Sequence, residues 1–182
     1  MVPILILPGY GNSGALHWQT IWEKKLPSVS RIDFRNWTAP VAREWCDLLH
    51  AELESREQPC VLVAHSLACL VVAQHIEEYG GSGIAGAFLV APPDPRAAAF
   101  PKEIAGFGKL PKTKFPMETI VVSSTDDPYS AAGFGAWCAA AWGTSHHSLE
   151  KAGHINADSG FGDWADGLVR LNQFVQALEV KR

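Results

Sequence analysis

Short apolar runs alternate with longer stretches of helical periodicity along this chain. Four of the six runs are continuously apolar rather than alternating. Continuous apolar runs are typical of strands that are covered on both faces, as in a parallel sheet. The predicted strands lie at residues 4–7, 31–34, 60–64, 84–90, 119–122 and 146–149.

Five stretches between or after these runs have the spacing of helices. In the second stretch, Val41, Trp45 and Leu49 lie on one apolar stripe that packs against a sheet. The predicted helices lie at residues 16–25, 41–56, 67–79, 131–142 and 164–178. Alternation of strands and helices predicts an α/β fold with a mostly parallel sheet and helices on both faces. In such sheets the ligand binds beyond the carboxyl ends of the strands, so we look for functional residues there.

Residues 91–116 interrupt this alternation. They contain six of the twelve prolines of the chain. A connection of this length is uncommon unless it forms a lid or a binding loop. The alternative is an irregular crossover with a short helix near residues 97–100, and the sequence leaves both open.

Length and charge limit the classes of protein to consider. The chain has 182 residues, of which 47% are hydrophobic, and this fits one domain over residues 1–182. With 15 Lys and Arg against 19 Asp and Glu, it lacks the basic surface of a nucleic-acid-binding protein. No apolar stretch approaches the roughly 20 residues of a membrane span. Residues 1–8 lack a basic segment and predict a first strand rather than a signal peptide, so we expect a cytoplasmic protein.

The cysteines and the other potential metal ligands do not indicate a metal site. Cys46, Cys60, Cys69 and Cys138 have neither CxxC spacing nor the spacing of mixed His and Cys ligands. We expect reduced, buried thiols, the usual state in the cytoplasm. No Mg²⁺ or Zn²⁺ ligand pattern is present either, so no metal and no cofactor are predicted.

A glycine-rich loop follows the first strand. Gly9, Gly11 and Gly14 match GxGxxG, and Asp33 lies 19 residues beyond Gly14, as in a dinucleotide-binding fingerprint. Two details oppose that interpretation, because Asp33 falls inside the second predicted strand and Pro8 separates the first strand from the glycines. The favoured alternative is a loop whose backbone N–H groups stabilise an oxyanion, and a plain turn is the third.

The third strand runs directly into a serine and a helix. Ala64-His65-Ser66-Leu67-Ala68 has the form of the nucleophile elbow G-x-S-x-G, with alanine at both small positions. This turn exposes the serine hydroxyl and aims the Leu67 N–H at a substrate carbonyl. The alternative is an ordinary serine at a helix N-cap.

A nucleophilic serine needs a base and an acid that orients the base. In hydrolases with an elbow the chain order is serine, then Asp or Glu, then histidine. Asp126 and Asp127 follow the fifth strand, and we favour Asp127 because Pro128 fixes a turn that aims it inward. His154 lies in the last loop and is the expected base. The competing histidines are His17, His50, His65, His75, His146 and His147, of which His17 is expected near the pocket.

Four segments together resemble the small α/β-hydrolases related to retinoblastoma-binding protein 9, and the similarity extends over nearly the whole chain. The segments are Pro8-Gly9-Tyr10-Gly11, Ala64-His65-Ser66-Leu67-Ala68, Ser124-Thr125-Asp126-Asp127-Pro128-Tyr129 and Gly153-His154-Ile155-Asn156. The resemblance implies a compact six-stranded parallel sheet in the order 2-1-3-4-5-6 without a cap domain. It also implies a triad of Ser66, Asp127 and His154, with the amides of Tyr10 and Leu67 as the oxyanion hole.

The sequence therefore predicts a serine hydrolase that cleaves a carboxylic ester or a related small acyl substrate. A thioesterase or a peptidase would use the same chemistry. The alternative is a weakly active or inactive hydrolase fold that acts as a protein-interaction module, although no segment indicates a protein partner. The expected pocket residues are Gly9, His17, Trp18 and Tyr129, with Trp37, Phe100 and Phe161 as further candidate walls.

Overall fold

Six parallel strands form the central sheet of the protein, whose computed structural model describes residues 1–180. Their order is β2-β1-β3-β4-β5-β6, which confirms the predicted parallel sheet and its topology. Residues 1–180 contain no cap domain between the strands, as predicted. The strands are β1 (Ile4–Leu7), β2 (Val29–Arg31), β3 (Cys60–His65), β4 (Ile84–Val90), β5 (Thr119–Ser124) and β6 (Ser145–Leu149).

Helices cover both faces of the sheet. Successive strand residues point to opposite sides, so each buried strand contributes side chains to two cores. Leu5 and Leu62 pack in one core, whereas Ile4 and Val61 pack in the other. The helices are α1 (Trp18–Glu23), α2 (Ala42–Glu54), α3 (Leu67–Tyr79), α4 (Phe134–Trp142) and α5 (Ala165–Val180). Helices α2, α3 and α4 contribute to the first core, and α1 and α5 contribute to the second.

The second strand begins earlier than the sequence predicted. The expected strand at residues 31–34 is wrong, because β2 pairs with β1 only over Val29–Arg31. Phe34 is buried for a different reason: its ring stacks on that of Trp45 with centroids 4.4 Å apart. The apolar pattern at residues 31–34 therefore reflects packing of side chains in the core after β2, and not pairing of the backbone in the sheet.

The proline-rich connection at residues 91–116 contains no helix, so the short helix considered near residues 97–100 is not formed. The chain turns there instead, with the amide of Ala97 bonded to the carbonyl of Asp94 and that of Phe100 to the carbonyl of Ala97. A bridge between Ala105 and Val41 ties the connection to the start of α2. The connection thus passes over the carboxyl edge of the sheet as an ordered loop.

Two expectations concern the whole chain. All four cysteines are buried and free, as predicted. Within residues 1–180, no helix combines the length and the apolar character that crossing a bilayer requires.

Candidate active site

Ser66 lies in the tight turn between β3 and α3. Its backbone has φ 54° and ψ −125°, a sparsely populated region for a residue with a side chain. The turn is held by a hydrogen bond from the Ser66 amide to the carbonyl of Val90 and by one from the Cys69 amide to the carbonyl of Ser66. The Ser66 side chain makes no capping bond to α3, so the N-cap alternative does not describe its hydroxyl.

The imidazole of His154 joins this hydroxyl to a buried carboxylate. Its Nε2 lies 2.8 Å from Ser66 Oγ, and its Nδ1 lies 2.9 Å from both oxygens of Asp127. Because a carboxylate only accepts, Nδ1 carries the proton and Nε2 is free to accept one from the hydroxyl. A hydroxyl, an imidazole and a carboxylate in this sequence can activate the hydroxyl oxygen as a nucleophile.

The neighbouring carboxylate of Asp126 has a different place. It is exposed and accepts hydrogen bonds from Ser124 Oγ and from the Gly153 amide, both 2.8 Å long. The bond from the Ser124 hydroxyl and the bond from the Gly153 amide lower the pKa of Asp126. Asp126 therefore binds the loop that carries His154, whereas Asp127 binds the ring itself.

Two further bonds hold these loops together, and the sequence analysis missed them. The Lys151 amide donates to Thr125 Oγ1 at 3.0 Å, and the Ala152 amide donates to Ser124 Oγ at 2.9 Å. The signal was the run of hydroxyl and carboxylate side chains that follows β5. Because the loop after β6 rests on this run, the sheet positions the acid and the base together.

The backbone of His154 is held from two other sides. Its amide donates to Ser159 Oγ at 3.0 Å, and its carbonyl accepts from His65 Nε2 at 3.0 Å. Burial is the main cause that lowers the pKa of His65 well below its usual value, and the nearby His154 and His17 lower it further. His65 is therefore a neutral donor to the backbone of His154 and does not contact the Ser66 hydroxyl.

The glycine loop packs directly against the elbow. A Cβ added to Gly9 would lie 2.9 Å from Ser66 Cβ and 3.2 Å from the Leu67 nitrogen, so only glycine fits. Within the described residues, neither the Tyr10 amide nor the Leu67 amide donates to a protein acceptor. Both residues line the cavity beside Ser66, so two free N–H groups are available there.

The structure argues against dinucleotide binding, but the position of Asp33 is not the reason. Asp33 follows the end of β2 rather than lying inside it, so its position is not an objection. In the fingerprint, however, the helix starts within the glycine motif. Here α1 starts only at Trp18, with His17 as its N-cap, and Gly9 is packed against Ser66.

A cavity of about 200 Å³ opens at the Ser66 hydroxyl. The predicted pocket residues Gly9, His17 and Tyr129 line it, but Trp18 does not. Trp18 is fully buried, and its Nε1 donates to the carbonyl of Ile155, so it supports the His154 loop from below. Of the other candidate walls, Phe100 lines the cavity and Trp37 and Phe161 do not. The lining residues that the sequence analysis did not select are Asn12, His65, Pro93, Pro101, Ile104 and Asn156.

The connection at residues 91–116 supplies the apolar side of this cavity. Pro93, Phe100, Pro101 and Ile104 all come from it. Of the two possibilities left open by the sequence, the structure therefore supports a loop that takes part in forming the binding pocket.

Comparison with known proteins gives one family match. The family model described as serine hydrolase matches residues 4–173. This match is consistent with the resemblance to hydrolases related to retinoblastoma-binding protein 9. No curated protein sequence matches the chain.

Solved structures with the same fold include both similar and distant sequences. A protein from Pectobacterium atrosepticum, provisionally described as a YdeN-like hydrolase, is 31% identical with a TM-score of 0.85, over 98% of this chain and 92% of that one. The ydeN gene product of B. subtilis is 19% identical with a TM-score of 0.79, over 99% and 100%. The esterase RhEst1 from Rhodococcus sp. is 13% identical with a TM-score of 0.71, over 97% and 91%. The last two show a likeness of fold alone.

Proposed function

The chain belongs to the serine hydrolase family, and on this premise we propose that it cleaves carboxylic esters of small acyl groups through Ser66, His154 and Asp127. One observation supports the proposal above all others. The His154 imidazole is hydrogen-bonded to the Ser66 hydroxyl at 2.8 Å and to the Asp127 carboxylate at 2.9 Å. This is the geometry that a serine nucleophile requires of its base and orienting acid.

The first half of the reaction forms an acyl-enzyme. His154 Nε2 takes the proton of the Ser66 hydroxyl while Oγ bonds to the carbonyl carbon of the ester. The carbonyl oxygen becomes an oxyanion that accepts from the N–H groups of Tyr10 and Leu67. When the intermediate collapses, the bond to the alcohol oxygen breaks, and the alcohol leaves with the proton from His154.

Water completes the reaction in the second half. His154 takes a proton from a water molecule, whose oxygen attacks the acyl carbon on Ser66. Collapse of this intermediate returns the proton to Ser66 Oγ and releases a carboxylic acid. Asp127 accepts the Nδ1–H of His154 throughout, which keeps the ring in the required tautomer and stabilises the imidazolium that forms transiently.

The cavity supports the choice of a small, uncharged acyl substrate. Its volume of about 200 Å³ is small, and Pro93, Phe100 and Ile104 form an apolar side. Apolar walls favour hydrocarbon over charged groups because burial of an unpaired charge costs free energy. Thioesters and amides are cleaved by the same steps, so a panel of all three acyl groups tests the choice of esters.

Labelling with a fluorophosphonate tests the proposal. The probe phosphorylates an activated serine hydroxyl, so the wild-type protein should gain one probe mass, and peptide mapping should locate it on Ser66. Ser66→Ala should not be labelled, whereas Ser82→Ala, a change at an exposed serine outside the cavity, should label like the wild type. The labelled enzyme should also lose its activity toward p-nitrophenyl butanoate.

Two results would refute this assignment. Labelling that persists in Ser66→Ala would place the reactive group elsewhere. A folded wild-type protein that neither labels nor hydrolyses any ester, thioester or amide of a substrate panel would favour the protein-interaction module.

The contact of Gly9 with the elbow leads to a separate prediction. Gly9→Ala should lower kcat by about a hundredfold, because the added Cβ displaces the Tyr10 amide or the Ser66 turn by a fraction of an ångström. Gly14→Ala is the matched control in the same loop, since a Cβ there meets no atom within 4 Å. Steady-state rates with p-nitrophenyl butanoate compare the two variants, and equal rates would contradict the role of Gly9 in positioning the loop.

A further inference from the structure

The cavity has a polar side that the proposed reaction does not use. Besides the reacting groups, the nitrogen-bearing side chains that line the cavity are Asn12, His17, His65 and Asn156, and Nε2 of His65 already donates to the carbonyl of His154. Among the described residues, no lysine, arginine, aspartate or glutamate lines the cavity. The polar side is therefore built from neutral nitrogen-containing side chains, and their hydrogen bonds decide what they offer to a ligand.

The orientation of the Asn156 carboxamide is set by two donors. Its Oδ1 accepts from the Ser159 amide at 3.0 Å and from the Ser159 hydroxyl at 2.8 Å. A backbone amide can only donate, so the group that faces it must be the oxygen. The NH₂ group of Asn156 therefore points away from Ser159, and within the described residues it donates to no protein acceptor.

Asn12 repeats this arrangement in the glycine loop. Its Oδ1 accepts from the Ser13 amide at 2.7 Å and from Arg31 Nη1 at 3.1 Å. Both partners are donors, so the oxygen of Asn12 is again occupied. Asn12 is exposed, and its NH₂ group donates to no acceptor among the described residues. The two amides come from loops after different strands, yet they line the same cavity.

His17 adds a donor that is almost completely buried. Its Nδ1 accepts from the Gln19 amide at 3.2 Å, and only 7% of the residue is exposed. Burial, with smaller contributions from Arg31 and His154, lowers the pKa of His17 to about 4, so the ring is neutral at pH 7. The proton of the neutral ring is then on Nε2, which has no partner among the described residues and is closed to water. A buried polar group without a partner is uncommon and needs an explanation.

We propose that this polar side, formed by Asn12, His17 and Asn156, binds an uncharged oxygen of the substrate in addition to the carbonyl that is cleaved. The inference rests on the proposed function and narrows its substrate class. The preferred esters carry an ether, keto, hydroxyl or second ester oxygen within a few bonds of the reacting carbonyl. Such oxygens accept hydrogen bonds from the NH₂ groups of Asn12 and Asn156 without bringing a charge.

A carboxylate or a phosphate fits this side less well. Removing an anion from water is costly unless a cation or a full set of donors replaces its hydration. Arg31, the nearby cation, does not line the cavity and already binds Asn12, Ser13, Thr20 and Glu23. The buried carboxylate of Asp127 beside His154 would repel a second anion. The same donors thus favour a neutral acceptor over an anionic one.

A pair of substrates of equal length tests the inference. p-Nitrophenyl methoxyacetate differs from p-nitrophenyl butanoate by an ether oxygen in place of one CH₂ group. For the wild type, Asn12→Asp and Asn156→Asp, kcat/KM for the methoxyacetate is divided by kcat/KM for the butanoate. Aspartate keeps the oxygen that binds Ser13 or Ser159 but removes the NH₂ donor, so the ratio should fall by about fivefold or more in favour of butanoate.

The ratio separates a contact with the substrate from a structural effect. Damage to the elbow or to His154 lowers both rates together, and the greater chemical reactivity of the methoxyacetate cancels when variants are compared. Asn36→Asp is the matched control, because Asn36 is exposed and lies outside the cavity lining, and it should keep the wild-type ratio.

Each outcome of the experiment decides the inference. A lower ratio in either aspartate variant supports it and identifies the residue that contacts the ether oxygen. Wild-type ratios in both variants, with both esters hydrolysed, would overturn the inference and leave the proposed function intact. A wild-type enzyme that hydrolyses neither ester and does not label at Ser66 would overturn the proposed function and the inference with it.

Discussion

Replacing Ser66 with alanine is expected to lower kcat for ester hydrolysis by roughly 10⁶-fold, the loss found when the serine of such a unit is removed. The reason is the loss of the atom that attacks the carbonyl, since no other hydroxyl in the described residues is hydrogen-bonded to His154 Nε2. Activity above that of the uncatalysed reaction should remain, because the Tyr10 and Leu67 amides still surround the carbonyl oxygen. The measurement is the steady-state rate with p-nitrophenyl butanoate.

A double variant shows whether Ser66 and His154 act as one unit. Residues that depend on each other have effects that do not add. Ser66→Ala with His154→Ala should therefore be about as slow as the slower single variant. If the two losses multiplied, independent roles would be indicated and the proposed proton transfer would be contradicted. Thermal unfolding of each variant excludes loss of the fold as the cause.

Replacing Asp127 with asparagine is expected to lower kcat by roughly 10⁴-fold, as in other enzymes whose orienting aspartate is changed in this way. The NH₂ group of asparagine donates, so it favours the tautomer in which His154 Nδ1 accepts and Nε2 carries the proton. In that tautomer Nε2 cannot take the proton of Ser66. The fold should tolerate the change, because asparagine keeps an oxygen for the Tyr129 amide that now bonds Asp127 at 2.9 Å.

The adjacent Asp126 offers the matched control for this prediction. Asparagine at residue 126 keeps an oxygen that can accept from the Gly153 amide and from Ser124 Oγ. Asp126→Asn should therefore keep a kcat close to that of the wild type. Equal losses in the two variants would contradict the assignment of Asp127 as the acid that orients His154.

The main elements of the fold were predictable because their signals are local. Buried strands covered on both faces are apolar throughout, and helix α3 begins and ends at the predicted residues 67 and 79. The chain order of Ser66, Asp127 and His154, each after the end of a strand, was also visible. In a parallel sheet those ends lie on one edge, so the order along the chain already indicated a common location.

The details that the sequence missed depend on contacts between distant segments. Phe34 extends an apolar run beyond β2 because its ring meets Trp45, and no local pattern distinguishes that contact from strand pairing. Trp18 was expected in the pocket, but its indole bonds the backbone of Ile155 below the base. Neither position follows from spacing, since each depends on how an element packs against another.

The sequence alone determined the class of fold, the chain order of the residues in the proposed triad and the likeness to hydrolases, because apolar periodicity and the elbow motif depend on neighbouring residues. Only the tertiary structure decided which acid meets the imidazole and which side chains line the cavity. The sequence favoured Asp127 over Asp126 only through the turn at Pro128, whereas the hydrogen bonds between the loops after β5 and β6 join Asp127 to the ring and Asp126 to the Gly153 amide. The arrangement of Asn12 and Asn156 likewise exists only because folding occupies their oxygens and brings both residues to one cavity.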